Sequence, residues 1–170
     1  MQLARRQGAA RIIVAASTPA KLAFARTIGA DDLADYSQAG WADVVKSASD
    51  GRGPDVIYES VGGAITQDSL AMLAPGGQIA IYGALNIRGF QFGDDELKRV
   101  IFMNQSLTGF ALAPLLTPDS LRRDLMELFA LAADGELAVT IDSVFPLADA
   151  LEAHRRLESR RSMGKVILVP

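Results

Sequence analysis

Lys21 carries the clearest chemical signal in this chain. It follows Ser17-Thr18-Pro19-Ala20, in which Thr18 is a good helix N-cap and Pro19 suits the first helical position. Its ammonium therefore falls in the first turn of a helix, where the macrodipole is positive and a cation costs about 0.3–1 kcal/mol. An anion held at the same place removes that penalty. In a dinucleotide-binding sheet the end of the second strand meets the adenosine ribose: a carboxylate there suits a free 2′-hydroxyl, whereas a 2′-phosphate needs room and positive charge. The strand ending at Ala15-Ala16 is followed by hydroxyls, with no carboxylate until Asp31. Ser17, Thr18 and Lys21 thus suit a phosphate-bearing ribose, against the plainer reading of Lys21 as a solvated helix residue.

Other candidates stand at strand ends. Tyr36 closes the next strand, where its ring either lies beside the same ribose or simply packs. Gly62 and Gly63 follow the strand Asp55–Ser60, and Gly83 follows Gln78–Tyr82. Ligands approach open α/β sheets at these carboxyl ends, and glycine admits a close backbone; an ordinary turn glycine would look the same. His154 is the sole histidine and has no partner in the sequence. Asp94-Asp95-Glu96 reads as an acidic helix start that complements the dipole. No Ser–His–Asp order or metal-ligand spacing is present, so no catalytic residue and no metal ligand is assigned. Hydride chemistry would fall to a cofactor that the chain positions.

These residues need a scaffold of alternating strands and helices. Met1–Gln7 reads as the tail of a helix closed by Gly8. Strand Arg11–Ala16, a helix from Pro19 with Leu22, Ala25 and Ile28 on one face, strand Asp32–Tyr36, helix Trp41–Ala48 and strand Asp55–Ser60 follow. Next come helix Ile65–Leu73, strand Gln78–Tyr82, a loop over Leu85–Phe92, helix Glu96–Phe102 and strand Ser106–Leu112. Thr117-Pro118 starts a long amphipathic helix with Leu121, Leu125, Leu128 and Ala132 inward. Strand Thr140–Phe145, helix Leu147–Ser159 and strand Lys165–Val169 end the chain. Near-continuously apolar strands separated by helix-length segments predict a doubly wound parallel α/β sheet, Rossmann-like. No glycine-rich phosphate loop precedes the first strand, and the central first strand of such a sheet is expected to be missing. The sheet then has either a gap or a closure over it.

Composition narrows the function. The chain has 170 residues, 49% of them hydrophobic and 22% charged, which is ordinary for one soluble globular domain. A net charge of −3 offers no basic stripe for nucleic acid. No apolar run reaches the roughly 18–20 residues of a bilayer span, and no signal peptide opens the sequence. The absence of cysteine removes disulfides, thiolate metal sites and cysteine nucleophiles. A cytoplasmic protein without nucleic-acid or membrane partners is expected.

The order of motifs resembles the medium-chain dehydrogenase/reductase superfamily, in its zinc-independent NADPH:quinone oxidoreductase branch. The matching stretches are Ser17–Tyr36 (STPAKLAFARTIGADDLADY), Gly51–Gly63 (GRGPDVIYESVGG), Leu73–Ala84 (LAPGGQIAIYGA) and Phe145–Pro170. The resemblance implies that Lys21, Tyr36 and Arg160 hold a 2′-phosphate, and therefore NADP(H). It implies that Val61, Gly83 and Ala84 line the cofactor, that Phe110 and Leu112 approach the nicotinamide, and that the strand near Ser106–Leu112 pairs two copies into a homodimer. It further implies a small-molecule substrate: a quinone, an enone or other activated alkene or carbonyl, or an enoyl thioester, since Phe102–Phe110 (FMNQSLTGF) is also similar to 2-enoyl thioester reductases. Residues 1–136 are then an N-terminally truncated nucleotide-binding domain, and 137–170 a segment returning to a catalytic domain. The isolated chain is expected to be inactive. A non-catalytic nucleotide-binding or dimerisation module is the competing reading; a methyltransferase-like sheet leaves Lys21 unexplained.

Overall fold

Arg11 and Ile12 stand just before the first strand and are tied to the carboxylates of Asp32 and Asp31. In the computed structural model, which describes residues 1–83 and 86–170, Ile12 N–H donates to the Asp31 carboxylate at 2.7 Å and Arg11 Nε to Asp32 at 2.6 Å. Strand β1 is Ile13–Ala16, two residues shorter at its start than the sequence pattern predicts. It is preceded by the short helix α1 (Gln2–Arg6). Helix α2 (Pro19–Thr27) begins as expected, with the Thr18 hydroxyl accepting Lys21 N–H. Strand β2 (Asp32–Asp35), helix α3 (Trp41–Ala48), strand β3 (Val56–Glu59), helix α4 (Ala64–Met72) and strand β4 (Gln78–Ile81) follow. Helix α5 (Asp94–Phe102) starts two residues earlier than expected, because the Glu96 carboxylate accepts Gly93 N–H at 2.9 Å and caps the first turn. That bond and the Gln67 amide hold Glu96 below the usual carboxylate range. Strand β5 (Ser106–Gly109) ends three residues earlier than expected, and a 3-10 segment follows at Ala113–Leu115.

The chain forms two compact units, Leu3–Leu116 with Met1, and Thr117–Pro170 with Gln2. In the first, every strand pairing is parallel, in the order β2-β1 and, separately, β3-β4-β5. This is the strand sequence of a doubly wound sheet with a gap at the centre. Of the two outcomes open from the sequence, the gap is the one found: among the described residues β1 and β3 are not paired. A core of Ala34, Trp41, Val45 and Met72 lies against Ile13 and Ile57, and Leu70, Leu73 and Ile79 are fully buried.

The second unit holds α6 (Pro118–Ala133), β6 (Ile141–Pro146), α7 (Ala150–Glu158) and β7 (Lys165–Val169), with β6 and β7 parallel. Helix α6 departs from expectation. Leu121, Leu125, Leu128 and Ala132 are exposed, and Leu131 is its buried residue. A two-stranded sheet has too little face to cover both helices, and within this unit the buried alanine Ala153 lies on α7. The sheet is clasped at one end by Asp142, which accepts two bonds from the Arg156 guanidinium, at 2.8 and 2.9 Å, and one from Met163 N–H at 2.8 Å. The guanidinium, followed by that amide, drives the Asp142 carboxyl far below the usual carboxylate range.

Candidate functional site

Parallel register places the carboxyl ends of β1 and β2 together, Ala16 opposite Asp35. Tyr36 N–H donates to the Ala16 carbonyl at 3.1 Å, which fixes Tyr36 beside the residue preceding Ser17. The half-buried Tyr36 ring stands edge-on to Trp41, centroids 6.4 Å apart, a favoured aromatic geometry. Trp41 is itself held by its indole N–H on Asp68, at 2.9 Å. The tyrosine's place at this tip is thus set by both its backbone and its ring.

Thr18 is extended (φ −145°), and its hydroxyl accepts Lys21 N–H at 3.3 Å. This satisfies one of the free donors at the start of α2. Helix α2 has no acidic residue in its first turn. Lys21 is half-buried, and among the described residues its ammonium makes no ion pair. Asp31, the first carboxylate after β1 in sequence, is occupied at the other end of the strands, where the Arg5 guanidinium, Ile12 N–H and nearby Arg11 lower its pKa. The sequence reading missed Asp35. Strand pairing brings its carboxylate to the same tip as Ser17, where it accepts the Ser37 amide and hydroxyl at 2.9 and 2.6 Å. A count along the chain could not have found it, because the register that aligns the two strand ends is a tertiary fact.

The tip of β3 is built differently. Glu59 is 3% exposed. One carboxylate oxygen accepts Val61 N–H and, at 3.0 Å, Gly62 N–H; the other accepts the Thr66 hydroxyl at the start of α4. Gly62 forms an isolated parallel bridge with Asn86. At Gly62 (φ +89°) a Cβ would lie 2.9 Å from the Asn86 carbonyl, and at Gly63 (φ +64°) 2.4 Å from its side-chain amide. Gly83, at the tip of β4, packs so that a Cβ would meet the Ser60 carbonyl at 2.5 Å. The backbone these glycines admit is the protein's own. Glu59, absent from the sequence-based candidates, organises the loop; a carboxylate two and three residues before the turn amides of Val61 and Gly62 was the available signal.

Phe110 and Leu112 follow β5 as exposed side chains, and Phe110 N–H donates to Ile81 at 2.8 Å. Ala84 lies outside the described residues. Arg160 belongs to the second unit; it has φ +56° just past the end of α7, donates its N–H to Leu157 at 3.0 Å, and is exposed. His154 is an exposed residue of α7. Among the described residues no group of three or more His, Cys, Asp or Glu side chains is placed to hold a metal ion, and no helix is long and apolar enough to cross a membrane. The first unit therefore presents one tip with hydroxyls and an unpaired lysine, and a second that is closed by its own carboxylate.

The zinc-binding dehydrogenase family profile matches residues 28–168. The chain belongs to that family. It lies in the medium-chain dehydrogenase/reductase superfamily, in the quinone oxidoreductase-like branch and its carboxyl-terminal portion. It is 32% identical over 162 residues to the quinone oxidoreductase of Pseudomonas aeruginosa, covering 94% of this chain and 49% of that protein. It is 31% identical over 166 residues to a 2-haloacrylate reductase of a Burkholderia species, covering 95% and 48%. A mycobacterial protein solved in complex with NADPH superimposes with a TM-score of 0.83 at 32% identity, over 99% of this chain and 51% of that one. The chain thus spans about half the length of the curated relatives it matches. The family name implies zinc, but no zinc site is formed by the described residues.

Proposed function

We propose that this chain is the NADPH-binding portion of an oxidoreductase that passes hydride to a quinone or an activated alkene. The observation that carries the reading is the tip of β1, where an unpaired Lys21 stands behind the hydroxyls of Ser17 and Thr18, with Tyr36 fixed alongside. An ammonium with two hydroxyls is a donor set for a phosphate monoester, and this one stands where a dinucleotide fold places the adenosine ribose. The relatives named for quinone and haloacrylate reduction, and the structural neighbour holding NADPH, support the same cofactor and acceptor class.

Lys21, Ser17 and Thr18 would hold the 2′-phosphate, and the Tyr36 ring would lie along the ribose. Val61, Gly62, Gly83 and Ala84 would border the cofactor, with Phe110 and Leu112 nearer the nicotinamide. Arg160 is carried by the family resemblance alone. NADPH, when bound, supplies the hydride; the chain's own residues bind and orient it. Residues 1–136 would form the nucleotide-binding portion and 137–170 the return to a catalytic portion. The outer edge of β5, unpaired among the described residues, would join two copies. No GxGxxG segment occurs in the 170 residues, so the pyrophosphate gains no glycine-loop seat here. Weak NADPH binding and no turnover are expected of these residues alone.

Calorimetric titration with NADPH and with NADH tests the assignment. Loss of a charge-assisted phosphate contact in Lys21→Ala should weaken NADPH binding by about tenfold or more and leave NADH binding unchanged. An equal loss for both cofactors would remove the 2′-phosphate from this site.

A further inference from the structure

The tip that carries Lys21 also carries a carboxylate. Asp35 ends β2 in register with Ala16, the last residue of β1. Side chains alternate between the two faces of a strand, and residues paired in register share a face. The face of Ile13 and Ala34 is covered by Trp41 and Val45 of α3; among the described residues none of α2 enters that core, although α2 packs on both strands. Asp35, next to Ala34 in sequence, therefore lies on the opposite face with Val14, Ala16 and Leu33, the face that α2 covers. Helix α2 begins at this end of the sheet, with Thr18 as its N-cap and Lys21 in its first turn.

The cation and the carboxylate are not partners. Among the described residues neither Lys21 nor Asp35 makes an ion pair, with the other or with any third group. Asp35 is held by its own turn instead. Its Oδ1 accepts the Ser37 amide at 2.9 Å and the Ser37 hydroxyl at 2.6 Å, the pattern of an Asx turn. A carboxylate has two acceptor oxygens, and Oδ2 has no hydrogen bond among the described residues. The turn needs one oxygen and no charge, since asparagine builds it equally well. A half-buried carboxylate, oriented by one oxygen, thus keeps the other for a donor outside the turn.

The chemistry of that donor follows from the charge. A phosphate is repelled by a carboxylate, whereas a hydroxyl donates to it in a short charge-assisted bond. The ribose that a dinucleotide fold brings to this place has a hydroxyl on its 2′ carbon in NADH and a phosphate there in NADPH. We propose that Asp35 is a specificity-determining residue: its free oxygen accepts the ribose 2′-hydroxyl, and its charge opposes the 2′-phosphate that Lys21 attracts. It does so from the neighbouring strand, not from the end of the strand where a dinucleotide fold usually supplies its acidic residue. The tip then reads the 2′ position with both signs of charge and accepts both cofactors, preferring NADPH by less than Lys21 alone would give. This inference rests on the proposed placement of the adenosine ribose at the β1 tip.

The test uses fragments that carry the ribose without the nicotinamide: adenosine 5′-phosphate, its 2′-deoxy analogue and adenosine 2′,5′-bisphosphate. Each is titrated into the 170-residue chain as wild type, Asp35→Asn and Lys21→Ala, and dissociation constants are read from backbone amide shifts. Wild type should bind adenosine 5′-phosphate at least about fivefold more tightly than the 2′-deoxy analogue, a comparison that needs no variant. Asp35→Asn keeps an acceptor for Ser37 and loses the charge; it should remove most of that difference and tighten the bisphosphate by about threefold or more. Equal affinity of wild type for the two monophosphates would overturn the proposal. So would an Asp35→Asn chain whose three affinities match wild type, because Asp35 would then only build its turn. A tighter bisphosphate with the monophosphate difference intact would leave a charge effect without the hydroxyl contact, and overturns it as well. Lys21→Ala separates this inference from the reading beneath it. If Lys21→Ala weakens the bisphosphate while Asp35→Asn changes nothing, the phosphate site stands and the role of Asp35 falls; if no fragment binds, both fall.

Discussion

At the carboxyl end of β1 the chain leaves Ser17, Thr18 and Lys21 with one local bond between them, from Lys21 N–H to the Thr18 hydroxyl. At the carboxyl end of β3, a buried Glu59 gathers Val61, Gly62 and Thr66 into a closed loop, and Asn86 presses on Gly62 and Gly63. Both tips stand where open α/β sheets receive ligands. The first leaves its ammonium without an ion pair among the described residues; the second uses its charge on itself. On the proposed reading the difference separates residues that recognise from residues that shape, although all lie at strand ends and look alike in sequence.

Substitutions test that separation most strongly at Glu59. Glu59→Ala strands two backbone amides and a hydroxyl in a buried site, and each unsatisfied group costs about 1–3 kcal/mol. A loss on the order of 3 kcal/mol is expected by denaturant titration, whereas Glu59→Gln, which can still accept from the amides and donate to Thr66, should retain most of the stability. Equal losses for both variants would mean that packing volume, not hydrogen bonding, holds the loop.

Gly62→Ala comes next. Its left-handed φ and the 2.9 Å approach to the Asn86 backbone point to a loss of roughly 1–3 kcal/mol, read as a lower melting temperature. No change would show that the Asn86 segment moves aside without cost. At the other tip, Thr18→Ala removes the cap of α2 and should cost about 1 kcal/mol. Lys21→Ala, the variant that separates the two cofactors, should leave stability within about 0.5 kcal/mol of wild type. A large stability loss there would place Lys21 among the shaping residues and erase the contrast.

Much of this was legible along the chain. Thr18-Pro19 announced α2, Trp41–Ala48 was read residue for residue, and β4 and β7 fell within a residue of the expected spans, because caps, glycines and apolar runs act locally. The α6 stripe was misread. Periodicity marks Leu121, Leu125 and Leu128 as apolar, but whether a face is covered depends on what packs against it, and within the second unit nothing does. The glycines at the β3 and β4 tips were visible as positions, while their reason, Asn86 and Ser60 in contact, is nonlocal. Asp35 escaped for the same cause, since only the β1–β2 register brings it to the Ser17 tip, whereas Glu59's partners lie within seven residues of it.

The amino-acid order is sufficient for the element types, the parallel α/β class and the chemistry of the Ser17–Lys21 turn, since propensity, capping and side-chain type are properties of neighbours. Folding in three dimensions settled which strand edges stay open, which carboxylates are already engaged and which tip retains a free cation. Those outcomes depend on register and on contacts between residues far apart in the chain, where the pairing of Ala16 with Asp35, or the approach of Asn86 to Gly62, decides what the site has left to offer.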